Sequence, residues 1–420
     1  MPSQSNRDGK RGIIGGNNMS KRMLLDGNHA AAWSARLAKA QVIPIYPITP
    51  QTECCTQLSE FVEHGEMPWA SYVTPESEHA VMGIACGASA GGARVFTSSA
   101  AQGVVFMEEN IWIAAGNRLP IVMCIVNRAI ANPGSLRPDC NDSLLQRDAG
   151  WIQLYCEDAQ DALDTGIQMF KICEDERVYL PGIFAFEGYV VGHCAIPVEL
   201  PDPEEVDDFL PPYKHKFISL DPELRKYTTT TTPRRGEFGT ERVYQMQVAM
   251  ENAKKVIKEV NEDYAKRFGR KYGNGLIEKY RCEDADALLI TMGSITGTAR
   301  KIVDDLREEG EPIGLVKLRS FRPFPTEDLR EAVKGVKAVG FVDRNRSPGS
   351  SGGGIGRIET ANALYSLTEK PLLLGFFVGL VGRDVMPGDV RFIAEKVLKA
   401  AETGKAEKDT YWVQLKGEEI

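Results

Sequence analysis

Short apolar runs alternate with longer periodic ones along most of the chain, the pattern of interleaved strands and helices in α/β units. From Asp26 to about Leu200, Val42 to Tyr46 reads as a strand closed by Pro47 and Pro50. Glu78 to Ala90 reads as a helix so rich in Ala and Gly that a neighbour can approach closely. Val95–Ser98, Ile121–Val126 and Ile183–Phe186 read as further strands. Between Pro201 and Gly239 the composition turns to Pro, Asp and the threonine run Thr228–Thr232, a connector expected to cover surface rather than fill a core. A long helix follows, with Met246, Met250, Ala253, Ile257, Val260, Tyr264 and Phe268 on one face. That stripe is core packing and carries no chemistry. A second α/β unit opens near Asp286, with strands at Ala287–Thr291, Ile313–Leu318 and Ala338–Val342 and a helix at Thr298–Glu308. The expected organisation is a mobile arm at 1–22, an α/β domain at 23–200, a connector with its helix at 201–275, a second α/β domain at 276–400 and a tail at 401–420. No repeat of solenoid spacing is present.

Composition narrows the classes. A chain of 420 residues suffices for two cores, and 43% hydrophobic with 26% charged residues is ordinary globular usage. A net charge of −8 argues against nucleic acid or an anionic membrane as partner. Apolar runs such as Ile121–Val126 are too short to span a bilayer, and the first 23 residues lack the apolar stretch of a secretory signal. Met19 offers a second start. The nine cysteines form no C-x-x-C pair, so neither a zinc site nor an iron–sulfur cluster is encoded. Free buried thiols fit a reducing cytoplasm.

Four stretches are candidates for chemistry. Tyr46-Pro-Ile-Thr-Pro-Gln-Thr52 holds the Thr49 hydroxyl at a strand's carboxyl end, where α/β proteins place ligands, although a plain Pro-rich turn has the same residues. In Pro75-Glu-Ser-Glu-His-Ala80 a carboxylate opens a helix, which alone is a dipole or capping partner. Glu78, followed by Ala80, Gly83, Gly87 and Ala88, is expected beside a close-packed helix face, where the protonated carboxyl is favoured and can be shared with a ring nitrogen. Thr97 to Gly103 is a strand with a small polar turn, in which Gln102 and Gly103 can meet a ligand. Val126-Asn127-Arg128 ends a strand on a cation, a carboxylate clamp or a structural ion pair.

Together and in order these stretches resemble the alpha subunits of pyruvate:ferredoxin and related 2-oxoacid oxidoreductases. Further matches are Arg118-Leu-Pro-Ile-Val-Met, Arg147-Asp-Ala-Gly-Trp-Ile-Gln-Leu-Tyr and Phe268-Gly-Arg-Lys-Tyr-Gly, so the likeness runs from about Lys21 to Ala400. The resemblance implies an α/β fold: a thiamine-diphosphate pyrimidine-binding-type domain followed by a transketolase C-terminal-like domain. It implies thiamine diphosphate shared with a beta subunit that carries the diphosphate and Mg²⁺ site, and [4Fe–4S] clusters on gamma and delta (ferredoxin-like) subunits. Glu78 matches the glutamate that bonds the aminopyrimidine ring nitrogen, with Glu76 as fallback. Thr49 and Arg128 match the residues that receive the 2-oxoacid carboxylate. CoA takes the acyl group, and electrons go to ferredoxin, or to NAD through a further subunit with FAD.

One departure sets an expectation about substrate. Where pyruvate enzymes of this family show an aromatic and a histidine, this chain reads Pro133-Gly-Ser-Leu-Arg-Pro-Asp-Cys-Asn-Asp142. Lost bulk leaves room for a larger acyl group, which favours phenylglyoxylate, as in the phenylglyoxylate dehydrogenase alpha subunit, over pyruvate. Arg137 is there either a second anion contact or a solvated charge. Gly352 to Gly356 departs from G-x-G-x-x-G and reads as backbone packing rather than a nucleotide turn. His79 reads as a helix-terminus residue rather than a base. The rival classes are a non-catalytic subunit of the same fold, disfavoured by intact Thr49, Glu78 and Arg128, and a nicotinamide dehydrogenase, disfavoured by the missing fingerprint.

Overall fold

Runs of Val, Ile, Leu and Phe lie side by side in the computed structural model of the protein, which describes residues 21–131, 135–215 and 239–417. The strands of the first unit are β1 (Lys21–Leu25), β2 (Val42–Pro44), β3 (Ser71–Val73), β4 (Phe96–Ser99), β5 (Val122–Asn127), β6 (Ile152–Tyr155), β7 (Gly182–Glu187) and β8 (Ile196–Leu200). Its helices are α1 (Gly27–Leu37), α2 (Thr52–Glu63), α3 (Glu78–Ala90), α4 (Ala101–Phe106), α5 (Glu108–Gly116), α6 (Asn141–Leu144), α7 (Ala159–Glu174), α8 (Val190–His193) and α9 (Pro203–Phe209). The long helix α10 (Gly239–Phe268) leads to the second unit. There the strands are β9 (Ile277–Tyr280), β10 (Ala287–Thr291), β11 (Ile313–Leu318), β12 (Ser320–Arg322), β13 (Ala338–Asp343), β14 (Leu372–Phe377) and β15 (Thr410–Trp412). The helices between and after them are α11 (Ile295–Glu308), α12 (Thr326–Ala332), α13 (Ile355–Leu364) and α14 (Pro387–Thr403).

The first main sheet runs β12-β6-β7-β5-β4 and is parallel except at β12–β6. The second runs β15-β14-β13-β10-β11-β9 and is parallel except at β11–β9. Parallel strands must be covered on both faces, which is why β5 is apolar without interruption. Its Val122, Cys124 and Val126 join the core beneath α1, α2 and α7, while Met123 and Ile125 join a second core with α3 and α5. That second core continues into the other unit through Leu288, Ile290 and Phe321. Strand β12 comes from the second unit yet pairs with β6 of the first, so the two units are joined by backbone as well as side chains.

Several expectations need correcting. The stretch after Pro201 is not only surface cover. Asp202 caps α9 by accepting from Glu204 N at 2.8 Å, and Val206 and Phe209 are fully buried. Burying such a pair is worth about 1.5–3 kcal/mol per side chain. The expected arm ends inside β1, where Lys21 and Arg22 pair antiparallel with Leu200 and Glu199. The expected tail supplies β15, whose Tyr411 stacks on Phe376 with ring centroids 5.1 Å apart. The small-residue face of α3 is not close-packed in this chain: Gly83 and Gly87 are exposed, and Gly87 has no neighbour within 4 Å. Residues 1–20 of the arm, the threonine run Thr228–Thr232, and Pro133 and Gly134 lie outside the described residues. Along α10 the stripe faces inward, with Ala253, Ile257, Val260 and Tyr264 buried and Met246, Met250 and Phe268 packed against the same core. All nine cysteines are free, and Cys54, Cys55, Cys124, Cys140, Cys156 and Cys173 are buried. Among the described residues no helix is long and apolar enough to cross a membrane.

Candidate active site

The carboxyl edge of the first sheet gathers most of the residues singled out above. Ser77 caps α3, its hydroxyl accepting from Ala80 N at 3.3 Å, so Glu78 opens the helix. Glu78 is only 8% exposed, whereas Glu76, two residues earlier, faces solvent. Where a polar turn was expected after β4, residues 101–106 form α4, and the Glu78 carboxylate leans on its first turn. A Cβ added to Gly103 would stand 2.6 Å from Glu78 Oε1 and 2.5 Å from Ser99 Oγ, so only glycine leaves room for both groups. Among the described residues no hydrogen bond or ion pair engages that carboxylate. Ser99 Oγ and Gln102 Oε1 are also buried without a partner. Buried polar atoms are almost always satisfied, so these two orphaned atoms, one of them packed with Glu78 against Gly103, mark a place built for something else.

The turn after β2 sits on the ends of β5 and β7. Gly188 permits this contact, since a Cβ there would lie 2.5 Å from both Asn127 O and Pro50 Cγ. Buried Asn28 clasps the turn from α1, its Nδ2 donating to Pro50 O at 3.0 Å and Gly192 O at 2.8 Å. On that platform Arg128 Nη1 donates to Thr49 O at 2.9 Å and Nε to Ser135 O at 3.3 Å. Nη2 has no hydrogen bond among the described residues, and the Thr49 side chain is exposed. A planar cation with one free edge beside a hydroxyl is suited to a small carboxylate.

Other candidates fall elsewhere. Arg137 is exposed, its carbonyl accepting from Ala129 N at 3.0 Å, with its guanidinium carbon 5.8 Å from the Tyr189 ring and its Cβ pressed on Gly382 of the second unit. His79 is exposed, with Nε2 3.5 Å from Glu109. The Gly352–Gly356 loop is occupied by its own protein. Asp343 accepts from Gly356 N and Arg357 N at 2.9 and 3.1 Å, and Asn345 accepts from Ile355 N at 2.8 Å. The N–H groups that would greet a phosphate at the start of α13 are thus already bonded. Sequence reasoning passed over Asn28, Gly188 and Asp142. An Asp between Asn and Ser in the first turn of a short helix carries no mark beyond an ordinary helix start.

Comparison with known proteins decides the family. Residues 34–262 match the family model described as pyruvate flavodoxin/ferredoxin oxidoreductase, thiamine diphosphate-binding, and residues 285–390 match pyruvate:ferredoxin oxidoreductase core domain II. The chain belongs to this 2-oxoacid oxidoreductase family. It is 43% identical over 95% of its length to the pyruvate synthase subunit PorA of Methanocaldococcus jannaschii, covering 99% of that relative. It is 42% identical over 94% of its length to the ketoisovalerate oxidoreductase subunit VorA of Pyrococcus horikoshii, covering 98% of it. The fold is similar to that of 2-oxoglutarate:ferredoxin oxidoreductase from Magnetococcus marinus, with TM-score 0.68 at 17% identity over 92% of this chain and 67% of that one. A split-gene transketolase aligns with TM-score 0.50 at 14% identity, over 88% of this chain and 98% of that one, in keeping with the expected two-domain α/β architecture. The chain is the alpha subunit of a thiamine-diphosphate-dependent 2-oxoacid:ferredoxin oxidoreductase, a catalytic part of a hetero-oligomeric enzyme.

Proposed function

We propose that the complex oxidatively decarboxylates a small 2-oxoacid, pyruvate first and the branched ketoisovalerate next, and passes the acyl group to CoA. The relatives named for those two acids span nearly the whole chain at 42–43% identity, which favours them over phenylglyoxylate. The described part of the divergent loop also argues against an opened aromatic pocket. Cys140 N donates to Arg344 O at 2.9 Å, Asn141 Nδ2 donates to Arg346 O at 2.8 Å, and Arg137 packs on Gly382. These residues are spent on contact with the second unit.

The observation that carries the reading is the partnerless carboxylate of the mostly buried Glu78 above Gly103, with Ser99 Oγ orphaned against the same glycine and Gln102 Oε1 orphaned on the residue before it. Those groups fit an aminopyrimidine: Glu78 would hold a ring nitrogen and fix its tautomer, with Gln102 and Ser99 taking the remaining polar edge. When bound, thiamine diphosphate supplies the nucleophilic carbon and the electron sink that decarboxylation of a 2-oxoacid requires. Arg128 Nη2 and the Thr49 hydroxyl would orient the substrate carboxylate. A beta subunit would bring Mg²⁺ and the diphosphate site, and gamma and delta subunits [4Fe–4S] clusters leading to ferredoxin rather than through FAD to NAD.

The test is CoA-dependent reduction of ferredoxin by the assembled complex, with pyruvate, ketoisovalerate, 2-oxoglutarate and phenylglyoxylate as substrates. The highest kcat/KM is expected for pyruvate or ketoisovalerate. A preference for phenylglyoxylate would restore the aromatic reading.

A further inference from the structure

Four N–H donors converge on one buried carboxylate in the loop behind the candidate site. Asp142 Oδ2 accepts from Ala101 N and Arg128 N, both at 2.9 Å. Its Oδ1 accepts from Asn127 Nδ2 at 2.7 Å and Ser143 N at 2.8 Å. The side chain is fully buried, and no cation pairs with it among the described residues. A buried carboxylate without a counter-ion is costly, and packing alone does not require one. Burial raises its carboxyl to about 7 even against these donors.

What the carboxylate joins suggests its use. Ala101, with φ of 45°, opens α4, whose Gly103 packs against Glu78. Arg128 ends β5 and reaches Thr49. One oxygen atom therefore ties the cofactor-facing turn to the substrate-facing arginine through two backbone bonds of equal length. An alanine at this position would leave both N–H groups without their acceptor.

We propose that Asp142 is a positioning residue for the decarboxylation, its carboxylate fixing the start of α4 and Arg128 in one register so that cofactor ring and substrate carboxylate stand at a set separation. The inference rests on the thiamine-dependent reading above. Displacement by an ångström at such a site costs about a hundredfold in rate. Asn127 Oδ1 is buried without a partner, so an Asn at 142 can keep its oxygen on Ala101 and Arg128 while Asn127 flips to accept from the new amide, and only the Ser143 N–H loses its acceptor. Conservative rescue is therefore expected, and it separates positioning from mere bulk.

The experiment compares Asp142→Ala and Asp142→Asn in the assembled complex, reading KM for the 2-oxoacid and the apparent Kd for thiamine diphosphate. Asp142→Ala should raise both constants together by about tenfold or more, and Asp142→Asn should stay within about threefold of wild type. A fall in yield alone, with kcat and both constants of the assembled complex unchanged, would overturn the proposal. If Asp142→Ala does not assemble, Asn127→Ala carries the test by stripping the 2.7 Å donor from Oδ1. It should raise KM about threefold, and an unchanged KM counts against the proposal. A wild-type complex inactive on every 2-oxoacid removes the functional reading instead, whatever the variants do.

Discussion

Gly103 and Glu78 compete for nearly the same space, which makes the glycine a sharper probe than the glutamate's neighbours. In Gly103→Ala the new methyl would stand 2.6 Å from Glu78 Oε1 and must push the carboxylate aside. Activity of the complex should fall about a hundredfold with little change in assembly, measured by turnover and gel filtration. Arg128→Met removes the free guanidinium edge but keeps the stem. Hydrogen bonds to charged groups are worth about 1.5–3 kcal/mol, so KM for the 2-oxoacid should rise about 10–100-fold, read from initial rates. At this scale the sequence disclosed what sits in contiguous, unusual strings: Thr49 between prolines, Glu78 after a capping serine, Gly103 in a polar turn. It concealed Asp142, Asn28 and Gly188, because their partners lie 14 to 164 residues away and nothing local requires them.

Elements built from local pattern were readable, and those completed by distant pairing were not. Strands β10 and β11 have the bounds that their apolar runs predict, since parallel central strands advertise themselves by unbroken hydrophobicity. Strand β12 is three residues long and exists only because Ser320 and Arg322 find Leu154 and Gln153 in the other unit. Strand β15 likewise depends on β14. The Gly-rich loop illustrates the same division. Its glycines are visible in sequence, but their reason is the Asp343 carboxyl and the Phe341 ring, which a Cβ on Gly354 or Gly356 would meet at 2.2 and 2.1 Å. Burial raises the Asp343 carboxyl from 3.8 to about 6. A raised carboxyl binds a proton more tightly folded than unfolded, so its contribution is full below about pH 4 and is lost as pH rises towards 6. Denaturant melts of the purified protein across that window should show a shallower pH slope for Asp343→Asn than for wild type.

On the scale of the whole molecule, the two units are welded by buried charge. Lys317 on β11 donates to Asp161 on α7 at 2.8 Å and lies 3.1 Å from Glu157, while Arg319 Nη2 donates to Thr165 at 2.8 Å. The two carboxylates hold the Lys317 ammonium well above its usual range. Lys317→Met would strand Asp161 in the core and should cost about 3–5 kcal/mol, read from the denaturation midpoint. Under the proposed function, such rigidity suits a subunit that would present half of a shared site to a partner. The chain alone should accordingly oxidise no 2-oxoacid and show no iron–sulfur absorbance. The central claim is that this half-site works through the buried Glu78 and not the exposed Glu76. The most direct measurement is turnover of the complex carrying Glu78→Gln beside one carrying Glu76→Gln, with thiamine diphosphate binding followed in both. The account predicts that Glu78→Gln binds the cofactor yet loses turnover by about 10²–10⁴-fold while Glu76→Gln stays near wild type. Near-normal turnover in Glu78→Gln, or the loss transferred to Glu76→Gln, would contradict it.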